Sequence, residues 1–110
     1  MTDKIVVLSN CGSSEEAVRV ARALIEERLA ACVNIIPGVQ SVYRWQGAVE
    51  EATEWTLVIK TRRALFESLR SALLRAHSYE LPEVIAIPVA DGHADYLVWI
   101  DRETTLSDRL

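Results

Sequence analysis

The sequence predicts an α+β domain, because two stretches with helical apolar spacing alternate with apolar runs that have the composition of strands. The elements follow in the order strand, helix, strand, strand, helix, strand, and one further helix comes last. With right-handed crossovers, this order gives a four-stranded antiparallel sheet with both main helices on one face. The predicted fold is therefore a ferredoxin-like βαββαβ sandwich with an added C-terminal helix.

The first strand and first helix are marked by local patterns. A continuous apolar run predicts a buried strand over residues 5–8. Ser13, followed three residues later by Glu16, forms a capping-box pattern that begins a helix. Apolar residues then recur at three- and four-residue spacing as far as Leu29, so this helix is expected to end near Ala30.

A long hairpin follows and dominates the chain. Residues 32–45 are rich in Val, Ile, Tyr and Trp, which favour strands, and residues 52–60 alternate with a period of two. Gln46-Gly47 supplies the turn between them, and Pro37-Gly38 predicts a bulge in the first strand. About 14 residues at about 3.3 Å each reach about 46 Å, whereas a domain of this size is about 35 Å across.

The end of this hairpin is expected to extend beyond its own core. Tyr43, Trp45 and Trp55 are assigned to that overhang, and exposed aromatic side chains are usually covered by a partner. No other part of the chain is long enough to cover them. We therefore expect identical subunits to shelter the hairpin.

The second half of the chain repeats the pattern with shorter elements. A helix is predicted from Leu65 to Ala76, and an apolar run at residues 84–89 predicts a strand. Pro88 places that strand at a sheet edge, because proline cannot donate to a ladder. A short helix is predicted over residues 94–103, and residues 104–110 are expected to fray.

Composition indicates one ordinary domain spanning residues 1–110, with half of the residues apolar and a quarter charged. The formal net charge of −4 argues against a nucleic-acid partner, which needs a basic face. No apolar run approaches the roughly 18 residues that span a bilayer, and no signal-peptide pattern opens the chain. Two cysteines make no disulfide framework. We expect a cytoplasmic protein without a membrane partner.

One group of ionisable residues is a candidate site. Lys60 ends the third strand, His77 ends the second helix and Glu83 begins the fourth strand, so the fold is able to bring them together. Imidazole and carboxylate groups are ligands for a borderline divalent cation, and the same set with Tyr79 suits a small anionic molecule. A purely structural role, with His77 at a helix end and Glu83 paired to Lys60, is the third alternative.

The two cysteines leave several roles open, and the usual catalytic motifs are absent from the sequence. Cys11, placed in the loop after the first strand, is either a soft metal ligand or reactive thiol, or a small filler in a turn. Cys32 is assigned to packing, and neither cysteine has a second ligand at zinc-finger spacing. The sequence contains no GxSxG, HExxH or glycine-rich phosphate loop, so we expect no enzyme.

Several separate blocks of the chain resemble the CutA divalent-cation-tolerance family. The likeness covers about residues 5–100, and the matching blocks are AACVNI at 30–35, SxYxWxG at 41–47, KT at 60–61, HxYxxPE at 77–83 and YLxW at 96–99. The resemblance implies a homotrimer with an architecture like that of the PII signalling proteins. It also implies an association with tolerance to divalent cations, copper especially.

The resemblance also assigns residues by position. The family's polar cleft residues fall on Lys60, His77, Tyr79 and Glu83, and its aromatic positions on Tyr43, Trp45 and Trp99. Some members have a cysteine where this chain has Ser9, and Cys11 lies two residues further on.

The sequence thus predicts a homotrimeric binding protein with a metal site at His77, Glu83 and Cys11, for copper ahead of zinc. The metal is not needed for folding. A small-molecule site is predicted at Lys60, Tyr79, Tyr43 and Trp99. Two alternatives stay open: a PII-like sensor of a small anionic metabolite, and a trimeric scaffold for another protein.

Overall fold

The computed structural model describes residues 1–105 and contains four strands and three α-helices. In chain order these are β1 (Lys4–Cys11), α1 (Ser14–Glu26), β2 (Cys32–Trp45), β3 (Ala48–Arg62), α2 (Phe66–Ala76), β4 (Ile85–Pro88) and α3 (Ala94–Glu103). A single 3₁₀ turn precedes α2. The strands form one antiparallel sheet in the order β2-β3-β1-β4, which confirms the predicted ferredoxin-like fold.

The core lies between this sheet and the apolar stripes of α1 and α2. Alternate residues of β1 and β3 are buried on this side, because side chains of a strand point to opposite faces in turn. Full burial of a Leu, Ile or Val side chain contributes about 1.5–3 kcal/mol. The large fully buried apolar side chains of this core are Val7, Val20, Leu24, Leu57, Ile59, Leu69 and Leu73.

The turn and the bulge of the hairpin were both predicted correctly. Gln46 and Gly47 have φ angles of 50° and 84°, and Trp45 pairs with Ala48 across them. Two positive φ angles in a two-residue loop match the right-handed twist of the flanking strands. The register of β2 against β3 shifts between Ile36 and Val39, and Gly38 has a φ of 69°.

The hairpin makes the molecule elongated, with principal extents of 45 × 30 × 22 Å. Val42 and Val49, near its end, have exposed fractions of 66% and 64%, and Tyr43 is also exposed. The assignment of Trp55 to the overhang is wrong. Trp55 pairs with Cys11 of β1 and packs against the core, because β3 begins four residues earlier than predicted, at Ala48.

Other predicted boundaries also need correction. Helix α1 ends at Glu26 rather than near Ala30, since the left-handed φ of 58° at Arg28 turns the chain. Strand β1 continues to Cys11 rather than ending at Leu8, so Cys11 does not lie in a loop.

Residues 104–110 were predicted to fray, and this prediction is wrong for Thr104. Thr104 is fully buried; its hydroxyl donates to the carbonyl of Ile100 at 2.7 Å and accepts from Nε of Arg62 at 2.9 Å. These bonds hold the end of α3 against β3. Residues 106–110, the rest of that prediction and of the single predicted domain, lie outside the described residues.

The sheet face opposite α1 and α2, here called the open face, carries exposed apolar side chains. Ile36, Ile85 and Ile87 have exposed fractions of 47%, 52% and 47%. The last two belong to β4, which pairs with β1 and forms a sheet edge as predicted. No helix in residues 1–105 is long and apolar enough to cross a membrane.

The turn offers a direct test of the hairpin. Gly47→Ala should lower the free energy of unfolding by about 1–2 kcal/mol, because an L-residue pays a steric penalty at positive φ. Urea unfolding at one fixed protein concentration measures this. Gln46→Asn is the matched control, since Asn tolerates this conformation, and it should change stability by less than about 0.5 kcal/mol. Equal effects of both variants would contradict the assigned turn.

Candidate metal site and adjoining cleft

Three potential metal ligands from distant parts of the chain converge near the end of β1. Cys11 is the last residue of β1, Glu16 lies in the first turn of α1, and His77 follows α2. One donor atom from each side chain lies within 4.8 Å of the other two. Sγ of Cys11 and Nε2 of His77 are 3.8 Å apart. We call these three residues the inner cluster.

Local capping sets the position of Glu16. Ser13 caps α1, and its hydroxyl accepts the backbone N–H of Glu16 at 3.1 Å, as the capping pattern predicted. The Glu16 side chain turns inward, is buried, and accepts the backbone N–H of Ser78 at 2.8 Å. Arg19, one turn further along α1, lies 3.5 Å from the same carboxylate oxygen. Glu16 therefore ties the chain after α2 to the start of α1.

The imidazole of His77 is held at both nitrogens. Its Nε2 lies 2.6 Å from the carbonyl oxygen of Asn10, and its Nδ1 lies 3.1 Å from the backbone nitrogen of Tyr79. The Tyr79 ring lies against it, with centroids 4.8 Å apart. The side chain is therefore fixed in one orientation toward Cys11.

The burial of this cluster changes its acid–base properties. Burial, followed by the nearby Glu16 carboxylate, raises the pKa of the Cys11 thiol to about 11. Among the alternatives for Cys11, the reactive thiol is therefore not supported, because a fully buried thiol with a raised pKa is a poor nucleophile. Burial also raises the pKa of Glu16, but the hydrogen bonds from Ser78 act in the opposite direction, and the net pKa is lowered.

The donor set fits a borderline divalent cation. Thiolate, imidazole and carboxylate together suit Cu(II) and Zn(II) better than Mg²⁺ or Ca²⁺, which prefer oxygen ligands alone. A cation must displace the Cys11 proton, so affinity depends on pH. Ser9 lies two residues earlier on the same side of β1, and its buried Oγ is without a hydrogen-bond partner within the described chain.

A second feature, a cleft of about 900 Å³, lies beside the inner cluster between the hairpin and the chain after α2. Tyr79 separates the two, with its hydroxyl donating to the buried carboxylate of Glu54 at 2.8 Å. Burial, and then Glu54, raise the pKa of Tyr79. The lining residues are Asn10, Gln40, Ser41, Val42, Tyr43, Arg44, Trp45, Glu54, Ser78, Tyr79, Glu80, Leu81 and Glu83.

The structure divides the predicted site residues among three places. Cys11 and His77 meet in the inner cluster, whereas Glu83 does not join them. Glu83 is exposed in the cleft, where it accepts the side-chain N–H of Asn10 at 3.1 Å. Tyr43 and Tyr79 also line the cleft. The candidate cluster that the structure brings together is therefore Cys11, Glu16 and His77, with Glu16 in the place expected for Glu83.

Lys60 and Trp99 lie elsewhere. Lys60 pairs with Val6 in the sheet, and its ammonium group donates to the side chain of Asn34 and lies 3.7 Å from Sγ of Cys32. Trp99 packs on Tyr96 within α3, with ring centroids 5.4 Å apart. The expectation that Lys60 approaches His77 and Glu83 is wrong, because Val6 is four residues from the Asn10 that His77 contacts.

Sequence reasoning assigned Glu16 only to a helix cap and did not single out Glu54. For Glu16 a signal was present: it lies four residues before Val20 and eight before Leu24, both of which are buried. Glu16 therefore lies in the buried stripe of α1 rather than on its solvent-exposed face. Glu54 carried no such signal, since the strand around it was predicted from alternation alone.

A family model for the CutA1 divalent ion tolerance protein matches residues 5–103. The chain belongs to this family. The divalent-cation tolerance protein CutA of Thermus thermophilus is 49% identical over 100 residues, which are 91% of this chain and 96% of that protein. A crystal structure of CutA from Xylella fastidiosa is 40% identical and superimposes with a TM-score of 0.92, covering 94% of this chain and all of that one.

The comparisons correct the expectation of a cytoplasmic protein. A solved CutA from Archaeoglobus fulgidus, 39% identical with a TM-score of 0.90 over 93% of this chain and 99% of that one, is described as periplasmic. An Arabidopsis thaliana relative, 43% identical over 91% of this chain and 55% of its own length, is described as chloroplastic. The two cysteines without a disulfide framework, which supported a cytoplasmic location, do not distinguish these compartments.

The buried carboxylate of Glu16 predicts a specific sensitivity to acid. Because the folded-state pKa lies below the unfolded value of about 4.5, its stabilising effect is present above that value and is lost as pH falls through the folded pKa. Glu16→Gln should lower the free energy of unfolding by about 1–2 kcal/mol at pH 7, and by less as the pH falls toward 3. Urea unfolding across this range measures the difference.

Glu15→Gln is the matched control, since Glu15 lies exposed in the same first turn of α1. It should leave the pH dependence of stability close to that of the unmodified protein. A constant offset between Glu16→Gln and the unmodified protein at every pH would show that Glu16 contributes only by packing.

Proposed function

We propose that this protein binds a divalent cation at the inner cluster, and that this binding underlies its part in divalent cation tolerance. The observation that supports this proposal most directly is that donor atoms of Cys11, Glu16 and His77 lie within 4.8 Å of one another. Three side chains separated by up to 66 positions in the sequence meet only because β1, α1 and the end of α2 pack together. The proposed role is binding rather than catalysis.

Copper is the preferred cation of this proposal, followed by zinc. The imidazole and thiolate favour Cu(II) over Zn(II) in the usual order of affinities for divalent metals. Binding is expected to be weak, because the cation must displace the thiol proton of Cys11 and compete with hydrogen bonds at His77 and Glu16. The protein is proposed to fold without the cation, since its core is built from apolar side chains.

The charge of the neighbouring cleft supports a cation rather than an anionic metabolite. Three carboxylates, those of Glu54, Glu80 and Glu83, line it against the single guanidinium of Arg44. Lys60, the cation on which the metabolite hypothesis depended, is bound to Asn34 on the open face. An excess of negative charge raises the local concentration of cations and opposes anions.

Assembly as a homotrimer is part of the proposal. Support comes from the exposed isoleucines of the open face, Ile36, Ile85 and Ile87, and from the exposed end of the hairpin. Apolar side chains at this density on one sheet face are usually covered by another subunit. The open edge of β4 is a further surface that assembly would protect.

Calorimetric titration tests the cation site. Zn(II) should bind to the unmodified protein with one site per chain, and so should Cu(II) when the titration is carried out under anaerobic conditions. Cys11→Ser and His77→Ala should each weaken binding at least about tenfold, the usual effect of losing one ligand or its support. The circular dichroism spectrum of each protein before metal is added should be the same before and after a chelator removes trace metal.

Cys32→Ser and His93→Ala are the matched controls, each removing the same functional group away from the inner cluster. Both should bind Zn(II) as the unmodified protein does. The proposal fails if no heat of binding is seen at micromolar protein, or if the controls lose affinity as strongly as the inner-cluster variants.

Sedimentation equilibrium tests the assembly. The unmodified chain should sediment at three times its own mass, whereas Ile85→Lys with Ile87→Lys should dissociate, because two buried charges without partners cannot be accommodated in an apolar interface. Leu74→Lys, an exposed leucine of α2, is the control and should leave the mass unchanged. A monomeric unmodified protein would contradict the proposed trimer.

A further inference from the structure

The hydrogen bonds of His77 determine which of its nitrogens carries the proton. The backbone nitrogen of Tyr79 can only donate, so Nδ1, 3.1 Å away, accepts that bond with its lone pair. Nε2 therefore carries the hydrogen and donates it to the carbonyl of Asn10 at 2.6 Å. In this arrangement a neutral His77 has no lone pair left for a cation.

A cation bound to His77 must break the bond from Tyr79, whichever nitrogen it uses. If the cation binds Nδ1, it takes the lone pair that accepts the Tyr79 N–H. If it binds Nε2, the proton moves to Nδ1 and faces that N–H, so two hydrogens oppose each other, and Asn10 also loses its donor. A neutral imidazole has one lone pair and one N–H, and no third arrangement exists.

The neighbouring bond from Ser78 is not under the same constraint. The Glu16 carboxylate has about four lone-pair sites on two oxygens, so it can bind a cation and still accept the Ser78 N–H. The expected change therefore begins between Ser78 and Tyr79, and the chain before that point stays attached to α1.

Tyr79 connects this change to the cleft. Its hydroxyl donates to the buried Glu54 at 2.8 Å, and its side chain lines the cleft together with Tyr43. Gly12 leaves room for this placement, since a Cβ there would lie 3.1 Å from the Tyr79 hydroxyl oxygen, closer than ordinary van der Waals contact. A displacement of the Tyr79 backbone therefore alters the cleft wall and the Glu54 contact.

We propose that binding of a cation at the inner cluster releases the Tyr79 backbone from His77 and so couples the cluster to the cleft. This inference rests on the proposed function, because it requires that the inner cluster bind a cation. Coupling between two sites is reciprocal. If cation binding weakens the interactions that hold Tyr79 in its present position, those interactions weaken cation binding by the same factor. The Tyr79–Glu54 hydrogen bond is one such restraint.

NMR of the isotope-labelled protein tests the inference in two stages. Without metal, long-range ¹H–¹⁵N spectra should show His77 with its hydrogen on Nε2. With saturating Zn(II), solvent exchange of the Tyr79 amide should become at least about tenfold faster, the effect expected for loss of one hydrogen bond. Exchange of the Ser78 amide should change less than twofold. Cys11→Ser should reduce the Tyr79 response in proportion to its loss of Zn(II).

Affinity gives an independent readout. Tyr79→Phe removes the bond to Glu54 but keeps the ring, and it should bind Zn(II) about fivefold more tightly, within the usual range of coupling between sites. Tyr96→Phe is the matched control on α3 and should not change the affinity.

The outcomes separate the two proposals. If calorimetry shows that no Zn(II) binds, the proposed function and this inference both fail. If Zn(II) binds at Cys11 and His77 while the Tyr79 amide stays protected, the coupling alone is wrong. An Nδ1–H tautomer in the metal-free protein would also overturn it.

Discussion

The hydrogen bonds that converge on Asn10 hold the candidate site together. Its carbonyl accepts from His77, its side-chain oxygen accepts the hydroxyl of Thr56 at 2.6 Å, and its side-chain nitrogen donates to Glu83. One residue near the end of β1 thus fixes the chain on both sides of residues 78–82 and the neighbouring strand β3. The antiparallel register, which pairs Asn10 with Thr56, makes this possible. A shift of one residue would turn its side chain to the other face.

Much of the fold was readable from sequence because its determinants are local. Gln46-Gly47 fixes the hairpin turn through its own backbone preferences, and Pro37-Gly38 marks the bulge in the same way. Apolar spacing located α1 and α2 for a similar reason. Where packing against a distant residue determines where a helix or strand ends, the predicted boundary was wrong. Thr104 is ordered by Arg62, a residue 42 positions away that no local pattern connects to it.

The candidate site was only partly predictable, because its members belong to three elements. Cys11 and His77 were proposed from their chemistry, but which carboxylate joins them depends on how α1 packs on the sheet. Glu83 is closer to His77 in sequence, yet it faces the cleft, whereas Glu16, 61 positions from His77, faces the thiol. Lys60 was misplaced for the same reason, since the sheet register carries it toward Cys32. Chemical type is visible in a sequence, and three-dimensional proximity is not.

The bulge at Pro37-Gly38 also determines which side of the hairpin its outer residues occupy. Two residues of β2 lie opposite Trp55 alone, so the alternation of side chains reverses, and Tyr43 points to the same face as Ile36 although they are an odd number of positions apart. Removal of one residue there would restore simple alternation and leave Tyr43 on the same face, because Tyr43 still pairs with Glu50 and would then lie an even number of positions from Ile36. During divergence the outer hairpin can therefore lengthen or shorten in matched pairs across both strands, and the bulge is a place in β2 where a single residue can be lost without reversing the faces of the outer side chains.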